Sequence, residues 1–281
     1  MARIPAVLLD GLAFPEGPRW HDGKLWFSDM HAHRVMTVDL AGKAETIVEV
    51  PNQPSGLGWL PDGRLLVVSM TDRRLLRLDA GRLVEAADLS RLATFHCNDM
   101  VVDAQGRAYV GNFGFDFQAQ QPFVPAVLAL VTPDGTVRAA ADDLAFPNGT
   151  VINPDGQTLV VGESFAARLT AFTIAPDGSL RERRVWAQLS NGTPDGICLD
   201  AEGAIWVASP LSNEVIRVHE GGNISERIAF DRRAIACMLG GPDRRTLFIC
   251  TATSVEPEET RAARAGRIEV VTVDAPGAGW P

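Results

Sequence analysis

The sequence predicts an all-β chain, a six-bladed β-propeller of four-stranded blades, its ring closed by the N-terminal strand in the last blade. Three observations predict it. A tight turn built on glycine recurs at Gly23, Gly63, Gly106, Gly156 and Gly203, with Arg244 in the sixth equivalent place, at intervals of 40 to 50 residues. A short apolar run follows each turn, at 25–28, 65–69, 108–111, 159–162, 205–209 and 247–251. A third, alternating run and a weaker, more polar fourth run complete each unit. Four short strands at a sustained period of this size are the mark of a propeller blade.

The stretch 191–209 shows the unit plainly. Pro194-Asp195-Gly196 opens it, an apolar run leads to a turn at Ala201-Glu202-Gly203, and Ile205-Trp206-Val207-Ala208-Ser209 returns. Two apolar runs bounded by turn residues make a β-hairpin. The third run appears as Arg34-Val35-Met36-Thr37-Val38 in blade one and recurs at 74–78, 126–130, 169–174 and 215–218. Blade six has clear runs only at 235–239, 247–251 and 266–273, and the unassigned Ala6-Val7-Leu8-Leu9 supplies its fourth strand. Closing the ring this way removes an open sheet edge. Two β-sandwiches would leave the common repeat unexplained, so residues 1–281 are expected to form one domain. Residues 256–265 suit a short helix or an exposed loop, and 118–125 a long loop in blade three.

Composition narrows the function. A formal charge of −9 argues against a nucleic-acid partner, which would require a basic surface. No run of 18 apolar residues points to a membrane, and the N-terminus lacks a signal-peptide pattern. The four cysteines, Cys97, Cys198, Cys237 and Cys250, show no metal-ligand spacing and suit buried reduced thiols. The expectation is a cytoplasmic monomer.

What the repeat does not repeat carries the chemistry. One position near the start of each innermost strand varies: Glu16, Ser55, Asn98, Asn148, Asp195 and Ala236. In a propeller these six places face the axis, so two carboxylates and two carboxamides converge there. Hard oxygen donors without histidine or thiolate suit Ca²⁺, with water completing the shell. Glu16 and Asp195 would repel one another unless a cation stood between them. Each residue alone also suits a turn or cap; the coincidence at one symmetric position favours a metal site. A non-catalytic binding propeller predicts equivalent or apolar axial residues instead.

Phe14-Pro15-Glu16-Gly17-Pro18, Pro147-Asn148-Gly149 with Asn153-Pro154-Asp155-Gly156, and Pro194-Asp195-Gly196 followed by Trp206-Val207-Ala208 resemble the SMP-30/gluconolactonase/luciferin-regenerating enzyme family. The resemblance runs over about residues 10–275. It implies a propeller carrying one divalent cation, usually Ca²⁺, with Zn²⁺, Fe²⁺ or Mn²⁺ as alternatives. It implies Glu16, Asn148 and Asp195 as ligands, Asn98 as a metal-proximal substrate residue or fourth ligand, and Asp195 as catalytic base. The activity implied is opening of a lactone or ester, either by water activated at Asp195 or by direct attack of its carboxylate. Phosphotriester hydrolysis on the same site is an alternative, as is a metal-plugged binding propeller; a strictosidine-synthase-like condensation would need no such ligand set.

The substrate pocket is expected to differ from the family's. Its sugar lactonases tend to carry Arg two residues before the Asn-Asp pair, where this chain has His96, a candidate second base or a structural hydrogen-bonder. The family's carboxylate 18 residues beyond that Asn falls on Asp116, which would grip substrate hydroxyls or stand solvated in a loop. Phe113, Phe115, Phe117 and Phe123 make this loop apolar, although alternating aromatics also suit a core. A hydrophobic lactone or ester competes with a sugar lactone on these grounds. His31 and His33 suit a turn in blade one, His21 has no evident role, and Cys97 is expected to point off the channel by strand alternation.

Overall fold

A computed structural model describes residues 3–190 and 192–279; residue 191, at the head of the hairpin stretch, lies outside them. Six antiparallel four-stranded sheets follow one another along the chain. Their first strands are Pro15–His21, Pro54–Trp59, Cys97–Val102, Pro147–Ile152, Ile197–Leu199 and Arg233–Gly240. Each packs against the next around a central axis, and Arg233–Gly240 packs back onto Pro15–His21. The ring closes as the sequence predicts. Blade six runs Arg233–Gly240, Thr246–Ala252, Gly266–Thr272 and, outermost, Ala6–Leu12, with Ala6 opposite Val270 and Leu12 opposite Gly266.

The repeating turn has a backbone cause. The five turn glycines sit at φ between +71° and +84°, which a side chain rarely adopts, and Arg244 takes the same left-handed conformation at +59°. The glycine period in the sequence is therefore a period of left-handed turns joining first to second strands.

Both faces of each blade are covered by neighbours. The second strands Leu65–Ser69 and Ile205–Ser209 are accordingly buried at every position and read as unbroken apolar runs. The seam between blades five, six and one holds a large core cluster around Leu25, Phe27, Trp206 and Phe248. Each such side chain contributes roughly 1.5–3 kcal/mol by leaving water, so the joint that closes the ring is among the best buried. All four cysteines are buried free thiols, and burial pushes Cys97 up to about 12, which keeps it unreactive. Cys97 packs in the core between blades two and three, off the channel.

The segment 256–265 forms a helix at Pro257–Ala263 with proline in its first turn. No strand lies between Asn112 and Ala126. Among the described residues, no helix is long and apolar enough to cross a membrane.

Candidate functional site

The axial residues are aimed by a recurring irregularity. Strand register is lost at them or immediately beyond in blades one to four, between Glu16 and Arg19, Pro54 and Leu57, Cys97 and Met100, and Pro147 and Thr150. Such a bulge turns one side chain out of the pleat, here toward the axis. The next residue is glycine in four blades, and the reason is crowding. A Cβ on Gly149 would stand 2.5 Å from the Asp195 carbonyl oxygen, and one on Gly196 2.3 Å from the Ala236 Cβ. Neighbouring first strands touch backbone to backbone, with Gly149 N–H donating to Asp195 O at 3.1 Å and Gly196 N–H to Ile235 O at 2.9 Å.

Glu16, Asn98, Asn148 and Asp195 line one cavity of about 210 Å³. Ser55 and Ala236 are buried and do not line it. A wider crevice of about 330 Å³ on the flank, near Val160 and Trp186, contains none of the axial residues.

Hydrogen bonds orient the two carboxamides. Asn98 Nδ2 donates to Pro147 O at 3.3 Å. Ser164 Oγ donates its one proton to Pro194 O at 2.7 Å, so it must accept from Asn148 Nδ2, 3.3 Å away. These partners fix both amides with nitrogen outward. Asn148 Oδ1 is left buried with no hydrogen-bond partner among the described residues. A buried acceptor in that state costs about 1–3 kcal/mol.

The electrostatics are one-sided. Burial pushes Glu16 well above the usual carboxylate range, the Asp195 and Asp99 charges push it further, and the Gly17 N–H and Arg19 only partly oppose this. Burial likewise pushes Asp195 up to about 8, against a hydrogen bond from Asn148 and with help from Asp99. Arg19 does not neutralise the pair, because its guanidinium donates to Asp99 Oδ1 at 2.8 Å in a buried ion pair. Two desolvated carboxylates thus share a cavity that no lysine or arginine lines among the described residues. No three His, Cys, Asp or Glu side chains cluster among those residues; the converging set is half carboxamide.

The walls are aromatic. Phe14, Phe113, Phe117 and Phe146 line the cavity. The regular strand ends at Asn112, so the alternation that would favour a core place for Phe113 and Phe117 does not continue, and both face the cavity. Phe115 is buried against Phe123 and Phe165, while Phe123 is exposed. His96 lines the cavity, stacked on Phe95 at 4.0 Å, and burial lowers its pKa. Asp116 does not line it. Its Oδ1 accepts from Ala119 N–H at 2.9 Å, because the chain turns there and the carboxylate caps the turn.

His31 is the pocket residue that sequence reasoning missed. It sits in a 3-10 turn, Met30–Ala32, as expected of a turn residue, yet it is buried, stacked on Phe14 at 4.6 Å, and lines the cavity. Its Nδ1 lies 2.7 Å from Thr260 Oγ1, whose proton points to the Glu256 and Pro257 carbonyls at 3.1 Å. That contact occupies Nδ1, and Nε2 has no hydrogen-bond partner among the described residues. Burial, then the charges of Arg261 and His33, lowers the pKa to about 4 and keeps the ring neutral. Its cover is a helix 229 residues away, so no local signal in the sequence announces it. His33 instead meets the Pro51 carbonyl at the surface, and His21 stacks on Trp59.

Comparison with known proteins follows the same lines. The family model described as SMP-30/Gluconolactonase/LRE-like region matches residues 14–253. Pentonolactonase XacC of Haloferax volcanii is 26% identical over 93% of this chain and 91% of its own. Regucalcin of Xenopus laevis is 27% identical over 96% of this chain and 94% of its own. Among solved structures, a calcium-binding protein, regucalcin, from Agrobacterium tumefaciens superposes with a TM-score of 0.82 at 23% identity, covering 100% of this chain and 96% of that one. A luciferin-regenerating enzyme superposes with 0.83 at 19% identity, covering 98% and 97%. The likeness in fold and the family match over most of the sequence agree: the chain belongs to the SMP-30/gluconolactonase/LRE-like family.

Proposed function

We propose that the chain is a divalent-metal-dependent hydrolase that opens a lactone or ester at the top of its central channel. The observation that carries this reading is the convergence of Glu16, Asn98, Asn148 and Asp195 on one cavity, with Asn148 Oδ1 buried and unpartnered. The donor set fits a hard cation: every group is an oxygen ligand, two are anionic, and the nearby Arg19 is committed elsewhere. Ca²⁺ suits these donors best, and Zn²⁺, Fe²⁺ or Mn²⁺ are the alternatives. Lactone chemistry is supported by relatives named pentonolactonase and, in Pseudomonas putida, 6-deoxy-6-sulfogluconolactonase, the latter 26% identical over 100% of this chain.

Glu16, Asn148, Asp195 and Asn98 would hold the cation. Bound there, it supplies Lewis-acid polarisation of the ester carbonyl. Asp195 acts as the general base: its carboxylate lines the same cavity as the other donors, where it can take the proton of a water that attacks the carbonyl. Asn148, its amide held by Ser164, lines the cavity beside that carboxylate. The phenylalanine walls keep bulk water off the reacting carbonyl, and neutral His31, its Nδ1 held by Thr260, leaves Nε2 to share a hydrogen bond with substrate or water.

The test is to strip the protein with chelator, restore Ca²⁺, Zn²⁺, Mn²⁺ or Fe²⁺ singly, and follow acid release from sugar lactones, aliphatic lactones and aryl esters. Activity is expected to return with one cation and to fall at least a thousandfold in Asp195→Asn, on the scale of losing a general base and ligand together. Turnover that ignores chelator, or survives in Asp195→Asn, would remove this reading. Metal binding without turnover on any substrate would leave a structural plug in a binding propeller.

A further inference from the structure

The wall opposite the oxygen donors has a chemistry of its own. Phe113 and Phe146 stack at 4.4 Å with their planes 20° apart, and Phe117 meets both, at 5.7 Å and 5.6 Å. Phe165 backs Phe146 at 5.1 Å. These rings come from separate places in the chain, the loop after Asn112, the entry to blade four and the turn between that blade's second and third strands, and Phe113, Phe117 and Phe146 meet at the cavity. Phe146 holds a left-handed backbone at φ +62°, a conformation that disfavours a bulky residue. Strain of this kind is retained where the surroundings require a particular side chain.

The remaining lining is neutral. Beyond the axial donors the polar groups are His31, Gln53, Thr71, His96 and Gln118. The Thr71 hydroxyl already donates to Asn52 O at 3.2 Å, and His31 Nδ1 is committed to Thr260. A polyhydroxylated ring laid on this wall would give up water around its hydroxyls against phenyl faces that return no hydrogen bond, at about 1–3 kcal/mol for each group left unmet. An anionic substituent would meet no cationic side chain there.

We infer that the site takes a neutral lactone bearing a hydrocarbon substituent, which lies on the Phe113–Phe117–Phe146 shelf while the ring carbonyl faces the oxygen donors. This rests on the hydrolase reading above. The shelf is the specificity determinant, and it selects against sugar lactones and anionic lactones.

Two measurements on the full, cation-loaded chain test it. The first is kcat/KM for δ-valerolactone, δ-hexalactone, δ-octalactone and δ-decalactone beside glucono-δ-lactone. The expected result is a rise of about fourfold for each of the first methylenes added, with every alkylated member ahead of glucono-δ-lactone. Phe117→Ala is expected to cut the ratio of δ-decalactone to δ-valerolactone about tenfold, and Phe117→Leu to keep most of it. A flat alkyl series, or glucono-δ-lactone ahead, overturns the inference and leaves the hydrolase intact.

The second measurement needs no turnover. Calorimetric binding of 3-pentylcyclohexanone, in which a methylene replaces the ring oxygen of δ-decalactone, is compared with that of cyclohexanone. Tighter binding of the pentyl compound by tenfold or more, reduced in Phe117→Ala, supports the shelf even where every lactone fails as a substrate. Equal binding overturns it.

Discussion

Blades one and four are built on the same four residues. Leu12-Ala13-Phe14-Pro15 precedes Glu16, and Leu144-Ala145-Phe146-Pro147 precedes Asn148. Both segments are held by an acid at the end of the second strand. Asp29 Oδ1 accepts the Ala13 and Phe14 N–H groups, both at 2.9 Å, and Glu163 Oε2 accepts Ala145 N–H at 2.8 Å. Each acid pairs with an arginine five residues on, Arg34 or Arg168, and each is followed by a 3-10 turn that ends in a left-handed residue, His33 or Ala167. The device is identical; its products are not. Blade one presents a carboxylate and a buried histidine, while blade four presents a carboxamide and Phe165, which is 54% exposed. The backbone that aims an axial side chain is thus separable from that side chain's charge, and on the proposed reading the cation preference is set by the four pocket-lining side chains rather than by the fold.

That separation can be broken or sharpened by experiment. The largest effect is expected at the donors themselves. On the proposed reading, Glu16→Gln keeps the geometry and removes one of two charges, which should weaken Ca²⁺ binding by about 3 kcal/mol, more than a hundredfold. Asn148→Ala removes a neutral ligand in the mirrored place and should cost about 1–1.5 kcal/mol, roughly tenfold. Calorimetric titration of the chelated protein decides it, and equal losses would mean that position outweighs charge.

A smaller contrast separates the acids of the two blades by pH. Burial alone would raise Glu163, but Arg168, the Ala145 N–H and Thr170 bring it below its usual value. A lowered carboxylate contributes stability above the ordinary range and loses it as pH falls. Glu16 and Asp195, both raised, do the reverse: in the cation-free protein their contribution is present in acid and is lost as pH rises, for Asp195 through about 8. Without cation, the Tm should therefore drop by about 3–6 °C between pH 6 and pH 9, the equivalent of roughly 1–2 kcal/mol. Asp195→Asn should flatten this slope, and saturating Ca²⁺ should reverse it. A metal-free Tm that rises over the same interval would contradict the account.

The smallest difference lies in the paired phenylalanines. Phe14→Gly loses a buried ring and gains backbone freedom. Phe146→Gly loses a comparable ring but relieves a left-handed backbone worth about 1–2 kcal/mol. Urea unfolding should find Phe146→Gly the milder by about 1 kcal/mol. The same cost in both would show that Phe146 carries no strain.

The sequence made the propeller legible because its turns need left-handed backbone, and glycine advertises that need at five places of six. The four pocket-lining axial residues were legible for a related reason: they interrupt a repeat, beside glycines kept small by strand contact at the axis. The lip was harder. His31 owes its burial to Thr260, brought over it by a helix from blade six, and short-range patterns do not encode such a contact. Alternation left Phe113 and Phe117 open between core and pocket, and it lapses once the strand stops at Asn112. The family spacing pointed Asp116 toward the substrate, but a local turn claims its carboxylate. Positions fixed by backbone geometry could be read, and positions fixed by distant packing could not.

The closing strand has a mechanical consequence. Ala6–Leu12 lies on the outer edge of blade six, antiparallel to Gly266–Thr272, with Ala6 opposite Val270. The chain therefore enters and leaves this strand pair at the same end. Tension between residues 5 and 273 loads its hydrogen bonds one rung at a time and peels the outer strand away; it does not shear the pair as a block. Three strands of blade six still stand between that tear and the axis, so a load carried between those two residues is spent at the rim before it reaches the oxygen donors. That protection holds for a tether at the N-terminal side; beyond residue 273 the chain bonds inward, Ala278 N–H donating to Leu199 O at 3.1 Å in the first strand of blade five, so a pull from that side loads blade five first.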